Sequence, residues 1–199
     1  MTKHLIVFAH PNSDSLNGHF KTTVESLLLE NGHQVIVRDL IQMGFNPVLS
    51  LEDMIGQRKG MVNQDVKQEQ EHVSWADCIT FIYPIWWTGM PAVMKGYIDR
   101  VFTYGFAYSY DTGVQQGLLK GKSVIVVNTQ GKSQEEYEAS GMAKALSLTS
   151  DTGIFEYCGT DVKRHLFFDG AARASPENVE KWACQLTELF NKSNIELYE

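Results

Sequence analysis

The sequence predicts an α/β protein in which a five-stranded parallel sheet is covered by helices on both faces. Short apolar runs rich in β-branched residues recur along the chain, as is typical of strands buried on both faces. Segments with helical spacing of apolar residues alternate with these runs. No segment has the composition of a linker, so we expect residues 1–199 to form a single domain.

The chain opens with a strand, a helix and a second strand. The run Leu5–Ala9 is followed by capping side chains at 12–15 and by apolar residues at helical spacing. An Asn-Gly pair at 31–32 ends this helix, and Gln34–Arg38 is the second strand. The apolar residues of segment 41–61 recur with neither helical nor strand spacing. We therefore expect a long irregular connection there, which in ordered proteins is often functional.

The middle of the chain contains the most distinctive stretch. Asn63–Trp75 is polar and predicts an exposed helix, and Cys78–Tyr83 predicts the third strand. A helix is predicted to begin at Pro91, which suits a first helical position because its missing N–H would have no partner there. The aromatic, turn-rich segment at 105–113 predicts a loop or a short hairpin.

The last part repeats the alternation. Ser123–Asn128 predicts the fourth strand, and a helix is expected around Tyr137–Leu148. The fifth strand is expected within Ile154–Phe168, in one piece or in two around Gly159. A cap and a first-turn proline at 175–176 predict the last helix, and we expect disorder only at 191–199.

Five strands suit the flavodoxin-like order 2-1-3-4-5 better than the six-stranded dinucleotide-binding order. Ligands of such sheets bind outside the carboxyl ends of the strands. The loops after the first, third and fourth strands, at 10–17, 84–90 and 129–136, would therefore form one site.

Two of these loops indicate what the site binds. Trp86 and Trp87 occupy a connection that is ordinarily small and polar, which favours a flat ligand, although an aromatic pair equally suits a lid on the core or a subunit contact. Ser13, Ser15 and Asn17 lie at a helix N-terminus, where backbone N–H groups favour an anion such as a phosphate monoester. Ordinary capping explains the same residues about as well.

Composition excludes several classes of partner and chemistry. Seventeen basic residues against twenty-four acidic ones give a net charge of −7, which argues against nucleic acid. No apolar stretch is long enough to span a bilayer and no signal peptide is evident, so we expect no membrane insertion. Three scattered cysteines without C-x-x-C favour the cytoplasm. The histidines lack metal-ligand spacing, and we expect no metal site.

Several motifs in a fixed order resemble the NAD(P)H:quinone oxidoreductase (DT-diaphorase-like) family, in its shorter bacterial flavodoxin-like branch. The resemblance covers Lys3 to about Phe168. It rests on His10-x-x-x-x-Ser15-x-Asn17, Phe45-Asn-Pro47, Tyr83-Pro-Ile-Trp-Trp87 with Pro91-Ala-x-x-Lys95-Gly-x-x-Asp99-Arg-Val-Phe102, Gly105-Phe-Ala-Tyr-Ser-Tyr110, and Thr129-x-Gly131 ahead of Tyr137.

The resemblance implies a homodimer with one flavin per subunit and a ping-pong reaction. Hydride passes from NAD(P)H to the flavin, and two electrons then pass to a quinone or similar acceptor. FMN is expected, with FAD as the alternative, because the long C-terminal extension of the animal enzymes is lacking. An electron carrier or an ancillary regulatory subunit of a membrane transport system stays open as another function. An open aromatic slot favours the enzyme, because a carrier shields its flavin behind a tight loop.

The resemblance also assigns the site residues. Those expected to hold the flavin are His10, Ser15, Leu16, Asn17, Pro84, Ile85, Trp86, Trp87, Asn128, Thr129, Gln130, Gly131 and Tyr137. Gly131 and Tyr137 are the expected catalytic residues, at the end of the ring where negative charge develops. Those expected to line the acceptor slot are Phe45, Trp87, Tyr108 and Tyr110, the last two from the second subunit. Ala143 stands where larger members carry a histidine.

Overall fold

The computed structural model describes residues 1–111 and 113–191. Within them the strands are β1 (Lys3–Phe8), β2 (Gln34–Asp39), β3 (Cys78–Pro84), β4 (Tyr108–Ser109), β5 (Gln116–Gly117), β6 (Ser123–Thr129) and β7 (Asp161–Phe168). The α-helices are α1 (Leu16–Glu30), α2 (Leu51–Arg58), α3 (Gln64–Trp75), α4 (Ala92–Val101), α5 (Gln134–Ala139), α6 (Met142–Ser147) and α7 (Pro176–Phe190). The main sheet is parallel, with the order β2-β1-β3-β6-β7. The predicted fold class and strand order are confirmed.

The register of the sheet brings three strand ends side by side. Thr80 in the middle of β3 pairs with Ile6 of β1 on one side and with Ile125 of β6 on the other. All residues of β3 and β6 are buried, because helices cover both faces of the sheet. The loops that follow β1, β3 and β6 therefore leave the same edge of the sheet at neighbouring positions.

Each face of the sheet has its own apolar core. On one face, α3 and α4 pack on the sheet through side chains that include Val73, Met94 and Tyr97. On the other face, α1 and α7 pack on the sheet and on each other, with Phe20 and Trp182 in contact. This two-sided burial explains why the strands are continuous apolar runs rather than alternating ones.

The expectation of an irregular connection over 41–61 is wrong, because α2 occupies its second half. Ser50 caps this helix through a hydrogen bond from the Asp53 N–H to its Oγ, and the Asp53 carboxylate accepts from the Ser50 N–H in return. A capping box of this kind is visible in the sequence as Ser-x-x-Asp. The helix escaped recognition because its outer face is apolar, with Met54 and Ile55 exposed, which obscures the helical periodicity.

The fifth strand lies within Ile154–Phe168 as expected, but it is one piece, β7, that begins only after Gly159. A π-helix over Leu148–Phe155 and a 3₁₀ turn over Glu156–Cys158 precede β7. Phe155 stacks on Phe81 of the sheet, with ring centroids 4.7 Å apart. The apolar residues of this segment are buried because the helix packs on the sheet. The periodicity of a sequence cannot by itself distinguish a short buried helix from a strand.

Three smaller differences concern element ends. Pro91 is the N-cap of α4 in an extended conformation, so the helix begins at Ala92. The helix expected around Tyr137–Leu148 is two helices, because Gly141 adopts a left-handed φ of 76° between α5 and α6. The hairpin expected at 105–113 reaches residue 117, where β5 pairs with β4. The disorder expected at 191–199 concerns residues that lie, apart from Asn191, outside the described ones.

In the described part of the chain, no helix has the length and apolar character needed to cross a membrane.

Candidate functional site

Three loops meet at the carboxyl edge of the sheet, as the sequence predicts. The Ala9 N–H donates to the Ile82 carbonyl oxygen at 3.1 Å, which joins the first loop to β3. The Ile85 N–H donates to the Thr129 carbonyl oxygen at 2.8 Å, which joins the second loop to the third. The Asn17 amide donates to Thr129 Oγ1 at 2.7 Å, which joins the first loop to the third. Direct hydrogen bonds thus fix the three loops relative to one another.

The first loop wraps closely around the N-terminus of α1. Ser15 is the N-cap, with its hydroxyl oxygen accepting from the Gly18 N–H at 3.2 Å. A Cβ at Gly18 would lie 1.9 Å from the Ser13 carbonyl oxygen, so only glycine permits this approach. No acidic residue lies in the first turn of α1. The N–H groups of that turn and the Ser15 hydroxyl hydrogen are therefore available to an anion.

Two buried acceptors at this edge lack partners. Within the described residues, Asn17 Oδ1 and Gln130 Oε1 are buried and accept no hydrogen bond. A buried polar atom without a partner costs about 1–3 kcal/mol, so a native protein retains it where something else supplies the donor. The hydroxyl groups of a ribityl chain and the N–H of a flavin ring are donors of the required kind. The residues present therefore fit a flavin.

The second loop is a tight, strained turn that presents an indole to solvent. Trp86 and Gly89 exchange both backbone hydrogen bonds at 3.1 Å, and Trp87 and Thr88 between them have φ of 51° and 57°. Such a turn normally contains Asn or Gly, and each non-glycine residue there costs about 1–3 kcal/mol. The Trp87 side chain is 100% exposed, and the His10 ring lies 5.8 Å from that of Trp86. Strain of this kind is concentrated at binding sites.

An open cleft of about 770 Å³ lies between the second and third loops. It is lined by Trp87, Thr88, Gly131, Lys132, Glu136, Tyr137, Ala139, Ser140 and Met142. Its volume is in the range of sites for cofactors and small molecules. Tyr137 is largely buried, and its ring packs on Ile85 and Leu146. The cleft therefore brings Gly131 and Tyr137, the two residues expected to act in catalysis, to the same surface as Trp87.

Other expected flavin residues lie beneath the cleft rather than in it. Gln130 is tied to β7 through its N–H, which donates to the Phe168 carbonyl oxygen at 2.9 Å. The Asn128 side chain is buried, with its amide donating to the Tyr83 carbonyl oxygen and its oxygen 2.7 Å from His165 Nε2. Asn128 therefore connects β3, β6 and β7 beside the site. Pro84 ends β3, Ile85 is buried, and Leu16 is the first residue of α1.

The residues expected to line the acceptor slot are not brought together within one chain. Phe45 is only 8% exposed and packs on Tyr97 in the core, with the Arg100 guanidinium 5.5 Å from its ring. Tyr108 and Tyr110 lie on the β4 hairpin, where the Tyr110 hydroxyl is 2.6 Å from that of Tyr157. Neither tyrosine lines the cleft beside Trp87.

Sequence reasoning missed two features of this edge. Thr88 and Met142 line the cleft, but neither residue type signals binding. His165 Nδ1 lies 2.8 Å from an Asp151 carboxylate oxygen beside Asn128, although the two residues belong to different elements. No spacing rule connects them, because the π-helix that carries Asp151 was not predicted from the sequence. Only the fold brings these residues together.

Comparison with known proteins places this architecture in a family. Residues 2–189 match the model of the flavodoxin-like fold family. A Haemophilus influenzae protein named "uncharacterized NAD(P)H oxidoreductase" is 39% identical, over 95% of this chain and 98% of that protein. The rat protein named "NAD(P)H dehydrogenase [quinone] 1" is 28% identical, over 96% of this chain and 78% of that protein.

Solved structures agree with the sequence comparisons. The structure titled "NAD(P)H:quinone oxidoreductase from Methanothermobacter marburgensis" superposes with a TM-score of 0.84 at 27% identity, over 97% of this chain and 99% of that one. The resemblance that the motifs indicate is therefore confirmed. The chain belongs to the flavodoxin-like fold family, among relatives that are named NAD(P)H oxidoreductases and quinone dehydrogenases.

Proposed function

We propose that this protein is an FMN-dependent NAD(P)H:quinone oxidoreductase that works as a homodimer. The observation that carries the proposal is the meeting of three loops at the carboxyl edge of the sheet. An open cleft with an exposed indole at its rim lies between the second and third loops, and two buried acceptors without partners lie at the same edge. The names of the relatives support NAD(P)H as the donor and a quinone as the acceptor.

The first loop would hold the phosphate of FMN without a cationic side chain. The N–H groups at the start of α1 and the Ser15 hydroxyl supply the donors, and His10 lies nearby. The helix dipole contributes only about 0.3–1 kcal/mol, so the hydrogen bonds provide most of the affinity. Asn17 Oδ1 would accept from the ligand, while its amide keeps the third loop in place through Thr129.

Bound FMN supplies the hydride-accepting ring and stores two electrons. The Gly131 N–H and the Tyr137 hydroxyl would stabilise the negative charge that the reduced ring carries. The exposed Trp87 ring offers a flat surface against which a nicotinamide and then a quinone can stack in turn. Because the nicotinamide and the quinone would occupy the same slot, the two half-reactions must alternate. The slot would also set the distance between each of them and the flavin ring.

Two measurements test the proposal. The purified protein should show flavin absorbance, and the released cofactor should be FMN rather than FAD. The FMN-loaded protein should oxidise NAD(P)H with menadione as acceptor well above the rate of free flavin. If flavin binds but turnover does not exceed that of free flavin, the protein is a carrier or a regulatory subunit instead.

Tyr137→Phe is expected to lower kcat about 100-fold, as loss of a single donor at a charge-bearing atom does elsewhere. FMN content should not change, because the phenylalanine ring preserves the packing on Ile85 and Leu146. Stopped-flow flavin reduction by NAD(P)H measures the effect directly. Glu138→Gln, one residue further along α5, is the control and should react as wild type does. A kcat within twofold of wild type would remove Tyr137 from the reaction.

Catalysis is expected to depend on the dimer. Tyr108 and Tyr110 do not line the cleft of their own chain, so a slot that includes them requires a second copy. Dilution to monomer, followed by light scattering, should abolish turnover while FMN stays bound. An active monomer would exclude the shared slot.

A further inference from the structure

A chain of hydrogen bonds crosses the sheet directly beneath the second and third loops. His165 Nδ1 lies 2.8 and 3.0 Å from the two oxygens of the Asp151 carboxylate. His165 Nε2 lies 2.7 Å from Asn128 Oδ1, and Asn128 Nδ2 lies 2.9 Å from the Tyr83 carbonyl oxygen. The chain thus links the π-helix, β7, β6 and β3 in that order. Sequence analysis assigned no role to His165 or Asp151.

The hydrogen bonds orient the Asn128 amide. Asn128 places its NH₂ group towards the Tyr83 carbonyl, because that oxygen can only accept. Its own oxygen therefore faces His165 Nε2, while the other ring nitrogen of His165 faces the Asp151 carboxylate. The imidazole is thus held at both ends by oxygens from different elements.

The surroundings of His165 are largely closed to solvent. The side chains of His165 and Asp151 are 7% and 14% exposed, and the His165 ring stacks on Phe167 with centroids 3.9 Å apart. A cavity of about 310 Å³ beside them is lined by residues that include His165, Tyr83 and Lys95. Burial raises the pKa of the Tyr83 phenol. On the strand of His165 itself, the Arg164 guanidinium donates to the Lys163 carbonyl oxygen.

This series of hydrogen bonds ends at the two residues that directly precede the flavin-binding loops. Tyr83 immediately precedes Pro84–Trp87, and Asn128 immediately precedes Thr129–Gly131. We infer that His165 is a positioning residue, which through its hydrogen bonds to Asn128 and Asp151 holds these two loops at the spacing that the flavin cleft requires. The inference deepens the proposed function and rests on it.

Loss of the imidazole would break this arrangement. Without a partner at its oxygen, the Asn128 amide is free to turn, which gives up its hydrogen bond to the Tyr83 carbonyl oxygen of β3. The two loops would then lose the contact that sets their spacing.

Two arms test the inference. In the first, hydrogen exchange of the Asn128 side-chain amide is followed by NMR in the flavin-free protein, and it is expected to be slow in wild type and faster in His165→Gln. In the second, FMN dissociation constants are measured by fluorescence at neutral pH, where His165→Gln and Asp151→Asn should bind about tenfold more weakly than wild type.

The control and the overturning results are separate for each claim. Asp161→Asn removes an exposed carboxylate, which pairs with Lys163, from the other end of β7 and should leave the FMN dissociation constant unchanged. Circular dichroism melting shows whether each variant is folded at the temperature of the assay. Equal exchange of the Asn128 amide in wild type and His165→Gln, or a His165→Gln dissociation constant within twofold of wild type, overturns the positioning role. Failure of the wild type to bind FMN overturns the proposed function itself.

Discussion

Replacing Arg100 by alanine is expected to destabilise the protein by about 3–5 kcal/mol, because a buried ion pair loses one partner. The Arg100 side chain is 4% exposed and donates to Asp53 at 3.1 and 3.2 Å. It also donates to Asp65 at 2.6 Å and to the Asn46 carbonyl oxygen at 2.9 Å. Without the guanidinium, the Asp53 carboxylate remains buried with no cation. Urea unfolding followed by circular dichroism measures the change.

A second ion pair on the same helix provides the control. Lys95 and Asp99 pair across one turn of α4 with both side chains well exposed, so Lys95→Ala should cost less than about 1 kcal/mol. An Arg100→Ala cost in that same small range would show that the network does not hold α2, α3 and α4 together. Arg100→Ala should change FMN affinity little, because the helices that this network joins lie on one face of the sheet rather than at its carboxyl edge.

The Arg100 network also predicts how stability changes in acid. Burial would raise the pKa of Asp53, but hydrogen bonds from Arg100 and Ser50 outweigh it and lower the pKa to about 2. Asp53 therefore stabilises the folded state at pH values above the ordinary titration range of a carboxyl group. This contribution is lost as the pH falls towards 2. Urea midpoints between about pH 5 and pH 2 should fall more steeply in wild type than in Asp53→Asn.

Asn17→Asp is expected to weaken FMN binding about 100-fold or more, the largest effect among the site variants. A carboxylate cannot donate to Thr129 Oγ1, so the bond that joins the first loop to the third survives only if the Thr129 hydroxyl turns to donate instead. It also introduces a buried negative charge where a phosphate is proposed to bind. Fluorescence titration with FMN measures the loss.

Asn12→Asp is the matched control in the same loop. Asn12 Oδ1 only accepts, from the Asp14 N–H at 2.9 Å, so an aspartate keeps that hydrogen bond while it adds the same charge in an exposed place. Its effect on FMN affinity should stay below about tenfold, because exposed charges are screened. Equal effects of the two substitutions would mean that charge alone matters and that Asn17 has no specific role.

The strands and their order could be predicted because the relevant signal is local. A strand buried on both faces has to be continuously apolar, as β3 and β6 are, and few strand orders are common for such sheets. The convergence of the three loops follows from that order, since the carboxyl ends of parallel strands share an edge. The same logic accounts for the placement of Gly131 and Tyr137 beside Trp87.

Features that depend on distant contacts could not be predicted. Phe45 is an aromatic residue of the kind that could line the acceptor slot, but it is buried against Tyr97. The reason is that α4 approaches the 45–47 segment closely at Gly96, where a Cβ would lie 2.2 Å from the Pro47 carbonyl oxygen. The helical form of Leu148–Phe155 depends on the stacking of Phe155 on Phe81, across 74 positions of sequence that no local pattern spans.

By itself, then, the sequence determined the layered fold, the edge at which a ligand binds and the residues of the three loops, because each follows from periodicity and from the direction of parallel strands. Only the tertiary structure decided which side chains already have partners within the protein. Asn128 shows the difference: its position on β6 marked it as a ligand residue, yet His165 and the Tyr83 carbonyl occupy both ends of its amide. Hydrogen-bond partners contributed by distant elements leave no mark on the local sequence.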